Sequence, residues 1–299
     1  MAGGSAEEFE GQRGRLFGVA YRMLGSAEEA EDVVQDAFVR WGGVDRAAIV
    51  SPSAWLAKVV TNLCLNRLTA ARALREEYIG PWLPEPVLTA EGALGPLESA
   101  EQRDSVSFAL LVLLERLTPA ERAVFVLREA FAYSYREIAE IMELSEANSR
   151  QLSRRARERV DDGHSRFQPD RRQSNELVER FFAAAREGDL RGLEEMLTAD
   201  VISVADGGGK ISSARRPVVG AERVARYLAG GFGRFATAME IGFAEVNGQP
   251  ALVGVDGGVL RGVAVADVLD GRIAALRIVT NPEKLGFLAR QVDALSHSE

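Results

Sequence analysis

The chain has 299 residues, of which 46% are hydrophobic, and its formal net charge is −8 at pH 7. This length and composition predict two or three globular domains with real cores. The acidic balance excludes a protein that coats DNA with basic charge along its whole length, so any DNA contact must rest on a local concentration of basic residues or on a partner. A single cysteine, Cys64, excludes an internal disulfide and a zinc site built from several cysteines.

The termini and the histidines narrow the class of protein further. The first residues lack the basic start and apolar run of a signal peptide, and no uninterrupted run of 18 apolar residues marks a membrane span. The two histidines, His164 and His297, stand in poor contexts for metal binding or catalysis. We therefore expect a cytoplasmic protein with no cofactor, no metal and no membrane partner.

The first strong helical pattern follows Ser26, which opens a capping box with Glu29. Apolar residues then recur at helical spacing from Ala30 to Trp41 and predict a buried stripe that includes Phe38. The opposite face is acidic and could bind a basic partner, although an ordinary solvated face is an equal alternative. Its polar residues are Glu31, Asp32, Gln35, Asp36 and Arg40.

A loop over residues 42 to 50 precedes a second long helix, which Ser51-Pro52 opens because proline suits the first helical position. Its inward positions run from Leu56 to Cys64. Other faces carry amides, arginines and an aromatic ring, a combination that can read and stack on unpaired bases. The aromatic residue could equally belong to the core. The candidates for base contact are Trp55, Asn62, Asn66 and Arg67.

Residues 79 to 103 are rich in proline and glycine, which predicts a linker. It contains the sequence Trp82-Leu83-Pro84-Glu85-Pro86, whose apolar residues could dock elsewhere within the chain.

Residues 133 to 159 predict a helix-turn-helix. Ser134 and Glu137 form a capping box, Glu143-Leu144 make a turn, and an arginine-rich helix follows. Arginine suits this position because its planar fork donates bidentately to phosphate and guanine. A solvated charged helix is the ordinary alternative. The predicted DNA-facing residues are Asn148, Ser149, Arg150, Ser153, Arg154 and Arg157.

The C-terminal part predicts helices first and an antiparallel sheet second, an α+β arrangement. An amphipathic helix covers 175 to 188, and Asp189 caps a second helix that runs through Leu197. Strands follow, separated by tight turns such as Asn247-Gly248. The predicted strands are 201–205, 239–246, 251–255, 259–269 and 272–279.

Two groups of segments resemble a known family, the bacterial extracytoplasmic-function sigma factors. Residues 30–41 and 54–68 resemble conserved region two, and residues 117–129 with the helix-turn-helix resemble region four. The resemblance implies core RNA polymerase (the β′ clamp and the β flap) and promoter DNA as partners. It assigns Asp32, Gln35, Asp36, Phe38 and Trp41 to the polymerase, Trp55, Asn62, Asn66 and Arg67 to the minus-ten element, and the helix-turn-helix residues to the minus-thirty-five element.

The C-terminal part resembles the SnoaL-like fold, an α+β cone. The sequence Asp206-Gly-Gly-Gly-Lys210 fails as a phosphate loop, because Val204 and Ile211 stand where that motif needs glycine and Ser or Thr. Together with residues 281–285 and 82–86, it resembles the sigma-factor subgroup with a fused SnoaL-like domain, in which the extension tunes sigma activity. The implied regulatory contacts are Trp82, Leu83, Pro84, Glu85, Pro86, Asp206, Lys210, Asn281, Pro282 and Lys284.

We therefore expect a sigma factor regulated by its own C-terminal domain, which would dock across the sigma domains against residues 82–86. A ligand-gated helix-turn-helix regulator acting outside the holoenzyme is the alternative. An enzyme is not expected, because residues 174–290 contain no histidine and Asp206, Asp256 and Asp267 fall at or near turns. The predicted divisions are 5–78 (region two), 79–103 (linker), 104–166 (region four), 174–287 (SnoaL-like domain) and 288–299 (tail).

Overall fold

The computed structural model describes residues 3–45, 48–89, 105–161, 171–235 and 239–296. The chain divides into two compact units, Met1–Glu77 with Glu91–Ser165 and Tyr78–Ala90 with Arg166–Glu299. The first half of the linker therefore belongs to the same unit as the C-terminal sheet. Parts of the predicted loop 42–50, linker and tail, together with both histidines, lie outside the described residues.

The first unit is entirely helical where it is described. Ser26 begins the second helix by accepting a hydrogen bond from the Glu29 backbone N–H at 3.1 Å, and the buried stripe from Ala30 to Trp41 is confirmed except at Phe38, which is half-buried. The helices are α1 (Gly3–Leu24), α2 (Ala27–Gly43), α3 (Pro52–Glu76), α4 (Phe108–Leu114), α5 (Pro119–Phe125), a π-helical turn (Val126–Ala130), α6 (Tyr135–Met142) and α7 (Glu146–Asp161).

The helix-turn-helix consists of α6 and α7, as expected. The Ser134–Glu137 capping box satisfies the first turn of α6 on both sides. Helix α6 ends because Glu143 adopts a left-handed conformation, with φ of 55°. Leu152, Ala156 and Val160 of α7 are buried, so the predicted stripe is confirmed.

Two buried arginines link α1 to the second half of this unit. The Arg22 Nε donates to Ser105 Oγ at 2.9 Å. The Arg122 Nε donates to the Arg22 carbonyl at 3.1 Å, and its Nη1 donates to Glu115 at 2.5 Å. Burial lowers the pKa of both guanidinium groups to about 9, so both remain charged at neutral pH. The contact between α1 and α5 thus includes buried polar groups, whose burial is compensated by these hydrogen bonds.

The second unit is built on one six-stranded sheet, in the order β2-β1-β6-β5-β4-β3. Strands β3 to β6 form the expected antiparallel meander, but β1 pairs with β6 in parallel. The reason is a helix absent from the prediction, α10 (Ala221–Phe235), which carries the chain from β2 to the far edge, so that the meander returns to β1. The strands are β1 (Leu197–Asp206), β2 (Val218–Val219), β3 (Glu240–Val246), β4 (Gln249–Asp256), β5 (Val259–Leu269) and β6 (Arg272–Val279).

One face of the sheet packs on α8 (Arg171–Glu187), α9 (Leu190–Met196) and α10, and this packing confirms the α+β fold. Asp189 caps α9, as expected, by accepting from the Gly192 N–H at 3.0 Å. The residues of this core come from the helices and from alternate strand positions. They include Val178, Phe181, Leu193, Val224, Leu252, Ala266 and Leu276.

After β6 the chain forms a short 3-10 helix (Pro282–Lys284) and then α11 (Gly286–Ser296). The expected tail from residue 288 is therefore helical up to Ser296, because Leu285 and Leu288 are buried and anchor its first turn. Within the described ranges, no helix combines the length and the hydrophobicity that a membrane span requires.

Candidate functional site

Helix α2 presents the expected acidic face. The side chains of Asp32 and Asp36 are 73% and 53% exposed, and Gln35 is exposed between them. Phe38 is half-buried, with its ring 5.0 Å from that of Phe9 in an edge-on contact. The face is therefore accessible to a basic partner.

Trp41 does not belong to this face, which corrects the expectation from the sequence. It is 1% exposed, and its ring lies 5.6 Å from that of Trp55 on α3. Trp41 falls on the apolar stripe of α2, so it packs α2 against α3. Trp55 is half-buried by the same contact.

Arg67 on α3 is paired with the acidic face of α2. Its Nη2 donates to Asp36 Oδ2 at 3.1 Å, and its Nη1 donates to the Glu29 carbonyl at 3.1 Å and lies 3.5 Å from Asp32 Oδ2. The structure thus brings a predicted DNA contact together with two predicted polymerase contacts. The amides on the same helix are more accessible: Asn62 is half-buried and Asn66 is exposed.

The outward face of α7 carries exposed arginines, as expected. The side chains of Arg150, Arg154 and Arg157 are 61%, 74% and 49% exposed. Asn148 is half-buried at the start of the helix. This face concentrates positive charge on an otherwise acidic chain.

Ser149 and Ser153 face inward, contrary to the expectation that they contact DNA. They are 0% and 1% exposed. Ser149 Oγ donates to the Ser145 carbonyl at 3.3 Å, and Ser153 Oγ lies 3.3 Å from Tyr135 Oη. Both positions lie one helical turn from Leu152 or Ala156, so they extend the buried stripe, and their small hydroxyls fit there.

Two residues that were missed in the sequence, Arg128 and Tyr135, lie beside this face. Tyr135 is the first residue of α6. The guanidinium groups of Arg128 and Arg150 lie 4.9 and 4.8 Å from the centroid of its ring. Such cation–π contacts orient long arginine side chains. An aromatic residue directly after the Ser134 cap is the signal that could have identified Tyr135.

A further arginine of α7 is held from outside the helix. Arg157 donates from both Nη2 and Nε to Glu129 Oε1, at 2.6 and 3.0 Å. Glu129 lies in the π-helical turn that precedes the helix-turn-helix.

In the second unit, a buried carboxylate binds the linker. Asp206, at the end of β1, is 0% exposed. Its Oδ2 accepts from the Leu83 N–H at 2.8 Å and from Lys284 Nζ at 2.7 Å. Its Oδ1 accepts from Tyr78 Oη at 2.5 Å and from the Gly208 N–H at 3.1 Å. Asp206 thus lies beside the turn at 208–210, as expected, and its carboxylate also binds the linker.

Lys284 closes this cluster from the 3-10 helix. It is 7% exposed, and its Nζ also donates to the Leu83 carbonyl at 2.6 Å. The ammonium group lies 4.6 and 4.3 Å from the ring centroids of Tyr78 and Trp82. Asn281 Nδ2 donates to Tyr78 Oη at 2.9 Å. We call Tyr78, Leu83, Asp206, Asn281 and Lys284 the Asp206 cluster.

Burial and the hydrogen bond that it donates to Asp206 raise the pKa of Tyr78. The phenol therefore keeps its proton at neutral pH and remains a donor to the carboxylate. The Asp206–Lys284 pair is buried, and the hydrogen bonds around it offset the free-energy cost of removing both charges from water. The geometry of the pair therefore depends on all of these partners being present.

Further along, the linker pairs with the edge of the sheet. The Val87 N–H donates to Asn247 Oδ1 at 3.0 Å, and the Asn247 N–H donates to the Val87 carbonyl at 2.9 Å. The Leu88 N–H donates to Gln291 Oε1 on α11 at 2.9 Å, and the Thr89 N–H donates to the Glu245 carbonyl at 3.1 Å. Residues 87–89 thus extend the sheet beside β3.

Most of the predicted regulatory residues lie in or beside this contact. Pro84, Glu85 and Pro86 are buried with the linker. Lys210 contacts Glu283 at the surface, and Pro282 is exposed. Tyr78, Asn247 and Gln291 were missed, because nothing in their local sequence distinguishes them.

Asp267 was expected at or near a turn, and it lies inside β5, three positions before the Asp270-Gly271 turn. It is 2% exposed within β5 and is hydrogen-bonded to Arg277 and Gln249. Both of its oxygens are occupied by these structural partners. Among the described residues, no group of three His, Cys, Asp or Glu side chains could hold a metal ion.

Comparison with known proteins identifies the class. Residues 9–73 match the Sigma-70 region 2 family and residues 107–160 match Sigma-70, region 4. The chain is 39% identical over 287 residues to the ECF RNA polymerase sigma factor SigJ of Mycobacterium tuberculosis (93% of this chain and 92% of the relative), and 31% identical over 283 residues to its probable ECF sigma factor SigI (94% of each). The crystal structure of M. tuberculosis SigJ superimposes with a TM-score of 0.75 at 37% identity, over 94% of this chain and 98% of that one.

The chain belongs to the extracytoplasmic-function (ECF) family of RNA polymerase sigma factors. It is a transcription initiation factor that binds core RNA polymerase and promoter DNA. This membership favours the sigma-factor prediction over a regulator that acts outside the holoenzyme.

Proposed function

We propose that this sigma factor is regulated by its own C-terminal domain, which acts by holding the linker that follows region two. The observation that carries the proposal is the burial of Asp206 against the linker through Tyr78 and Leu83. Region two ends with α3 at Glu76. Tyr78, the first linker residue that binds Asp206, follows two positions later.

These contacts between the linker and the C-terminal domain determine how many linker residues are available to connect the two sigma regions. While the Asp206 cluster and the β3 edge bind residues 78–89, only the remaining linker can extend. Once released, residues 78–89 can extend to about 40 Å, at roughly 3.4 Å per residue. A factor that shifts the equilibrium between held and released linker would then change promoter output.

For core polymerase, we propose that the β′ clamp binds the acidic face of α2 through Asp32, Gln35, Asp36 and Phe38, and that region four binds the β flap. The exposure and negative charge of the α2 face support the first contact. Charge complementarity of this kind steers association and fixes orientation.

For DNA, we propose that Trp55, Asn62 and Asn66 contact the minus-ten element, with Arg67 beside them. Asn148, Arg150, Arg154 and Arg157 contact the minus-thirty-five element. The exposed arginines of α7 support this assignment, because they lie on the second helix of a helix-turn-helix. No cofactor or covalent chemistry is proposed.

Run-off transcription with core polymerase tests the regulatory proposal. The full chain and a variant lacking residues 174–299 are compared on genomic promoter fragments, with binding to core measured in parallel. We expect promoter output to change while both proteins bind core. Equal output from both would remove the regulatory role and leave the sigma-factor assignment intact.

A further inference from the structure

The geometry points to Tyr135 as a positioning residue of region four: its ring holds the guanidinium group of Arg150 in place for the minus-thirty-five element. The inference rests on the proposed role of Arg150 as a contact to that element. Tyr135 acts through Arg150 and need not touch DNA itself.

The Tyr135 side chain connects the two helices of the helix-turn-helix. The residue is half-buried at the start of α6, and the centroid of its ring lies 4.8 Å from the Arg150 guanidinium on α7. Its Oη lies 3.3 Å from Ser153 Oγ, on a residue that is 1% exposed. Ser153 follows Arg150 by three positions, so the two are neighbours on the surface of α7. One aromatic side chain thus contacts two adjacent positions of the recognition helix.

The ring itself is held from several sides. The backbone at the start of α6 is fixed by the Ser134–Glu137 capping box. A second guanidinium, that of Arg128, lies 4.9 Å from the ring centroid, and Arg128 Nη1 donates to the Tyr133 carbonyl at 2.9 Å. These contacts restrict the ring to one orientation, so it can serve as a fixed wall for Arg150.

Arg150 needs such a wall because its other contact is weak. The side chain is 61% exposed and pairs with Glu146, one turn earlier in the same helix. Ion pairs of this kind on a helix surface contribute little and exchange readily. An arginine that moves freely must lose side-chain entropy when it binds a base, which weakens the complex. The contact with the Tyr135 ring orders the guanidinium before DNA arrives.

This ordering should favour the promoter over DNA of other sequence. An arginine that reads guanine must place its planar fork in the plane of the base and donate two hydrogen bonds. A phosphate contact tolerates many orientations and carries no sequence information. We therefore expect Tyr135 to raise promoter affinity while leaving sequence-independent binding unchanged.

The test uses holoenzyme reconstituted from core polymerase and the full-length chain. Its affinity is measured for a labelled promoter fragment that supports run-off transcription and for a labelled duplex of random sequence. Tyr135→Leu removes the ring, and Tyr135→Gln removes it while keeping a polar group that can hydrogen-bond to Ser153. In both variants promoter affinity should fall about two- to fivefold, the range of an exposed cation–π contact. Random-duplex affinity should stay the same.

Tyr135→Phe is the conservative variant that separates the ring from the hydroxyl. It keeps the ring face beside Arg150 and should retain promoter affinity, and circular dichroism of the free chain checks that each variant is folded. A loss in Tyr135→Phe as large as in Tyr135→Leu would overturn the inference. So would an equal loss of promoter and random-duplex affinity in Tyr135→Leu and Tyr135→Gln, because it would show that Tyr135 only supports the fold of the helix-turn-helix.

A double variant tests whether Tyr135 acts through Arg150. Arg150→Ala should weaken promoter binding, and adding Tyr135→Leu should weaken it no further. Additive losses would overturn the inference. Normal promoter binding by Arg150→Ala would remove Arg150 from the proposed DNA surface, and the inference with it. Weak binding by Arg150→Ala together with normal binding by both Tyr135→Leu and Tyr135→Gln would overturn the inference alone.

Discussion

Lys284 Nζ lies 2.7 Å from Asp206 Oδ2, and both side chains are buried between the sheet and the linker. The two residues lie 78 positions apart in the chain, and a third segment, at Leu83, binds both through its backbone. One ion pair therefore joins β1, the 3-10 helix and the linker.

Replacing Lys284 with Met should destabilise the second unit, because it leaves the Asp206 carboxylate buried without its cation. We expect a loss of about 3 kcal/mol in the free energy of unfolding, measured by denaturant titration. Lys210→Met is the matched control: its pair with Glu283 is exposed and should contribute less than about 1 kcal/mol. Comparable losses of stability in the two variants would contradict the claim that the buried Lys284–Asp206 pair contributes more than the exposed Lys210–Glu283 pair.

Amide hydrogen exchange should separate the two places where the linker is held. In Lys284→Met we expect the Leu83 N–H, which donates to Asp206, to exchange faster. The Leu88 N–H should keep more of its protection, since it donates to Gln291 on α11. Gln291→Ala should give the reverse pattern. Uniform loss at both amides in either variant would mean that the linker is held as a single unit.

Asp36→Arg should abolish binding to core polymerase while leaving the fold intact. Asp36 is exposed, so the change reverses charge on the proposed clamp surface and also repels Arg67, its present partner. Binding is measured by co-elution with core enzyme, and folding by circular dichroism. Glu140→Arg, the same charge change on exposed α6, should bind normally. Normal binding by Asp36→Arg would remove α2 from the interface.

The Cys64 thiol should be unreactive in the folded protein. It is 0% exposed, and burial raises its pKa, so the reactive thiolate is suppressed even in mildly alkaline solution. We expect a thiol reagent to label the chain only after unfolding, with labelling followed by mass spectrometry. Rapid labelling of the native protein at pH 8 would show that the α3 core opens readily.

The helices and most strands could be predicted from the sequence because their signals are local. Capping residues such as Ser134 and Asp189 and turns such as Asn247-Gly248 act over a few residues, and the structure confirms them. The inward orientation of Ser149 and Ser153 was missed because small hydroxyl residues are compatible with either face of an arginine-rich helix.

The contacts of the linker were less predictable. The motif residues around Asp206, Asn281 and Lys284 were identified through resemblance, yet their geometry depends on pairing over 78 to 203 positions. Tyr78 illustrates the limit: its importance arises only when the fold places Asp206 beside it. The parallel pairing of β1 with β6 likewise depends on α10, which the pattern of turns and strands does not reveal.

The most direct test of regulation through the linker is run-off transcription by Asp206→Asn holoenzyme beside wild type. Asparagine removes the charge that pairs with Lys284 while keeping the shape, and Asp256→Asn, at an exposed pair in the same domain, is the control. We predict changed promoter output for Asp206→Asn at unchanged core affinity, with Asp256→Asn matching wild type. Wild-type output from Asp206→Asn, with faster exchange at both Leu83 and Leu88 showing that the linker was released, would contradict the account.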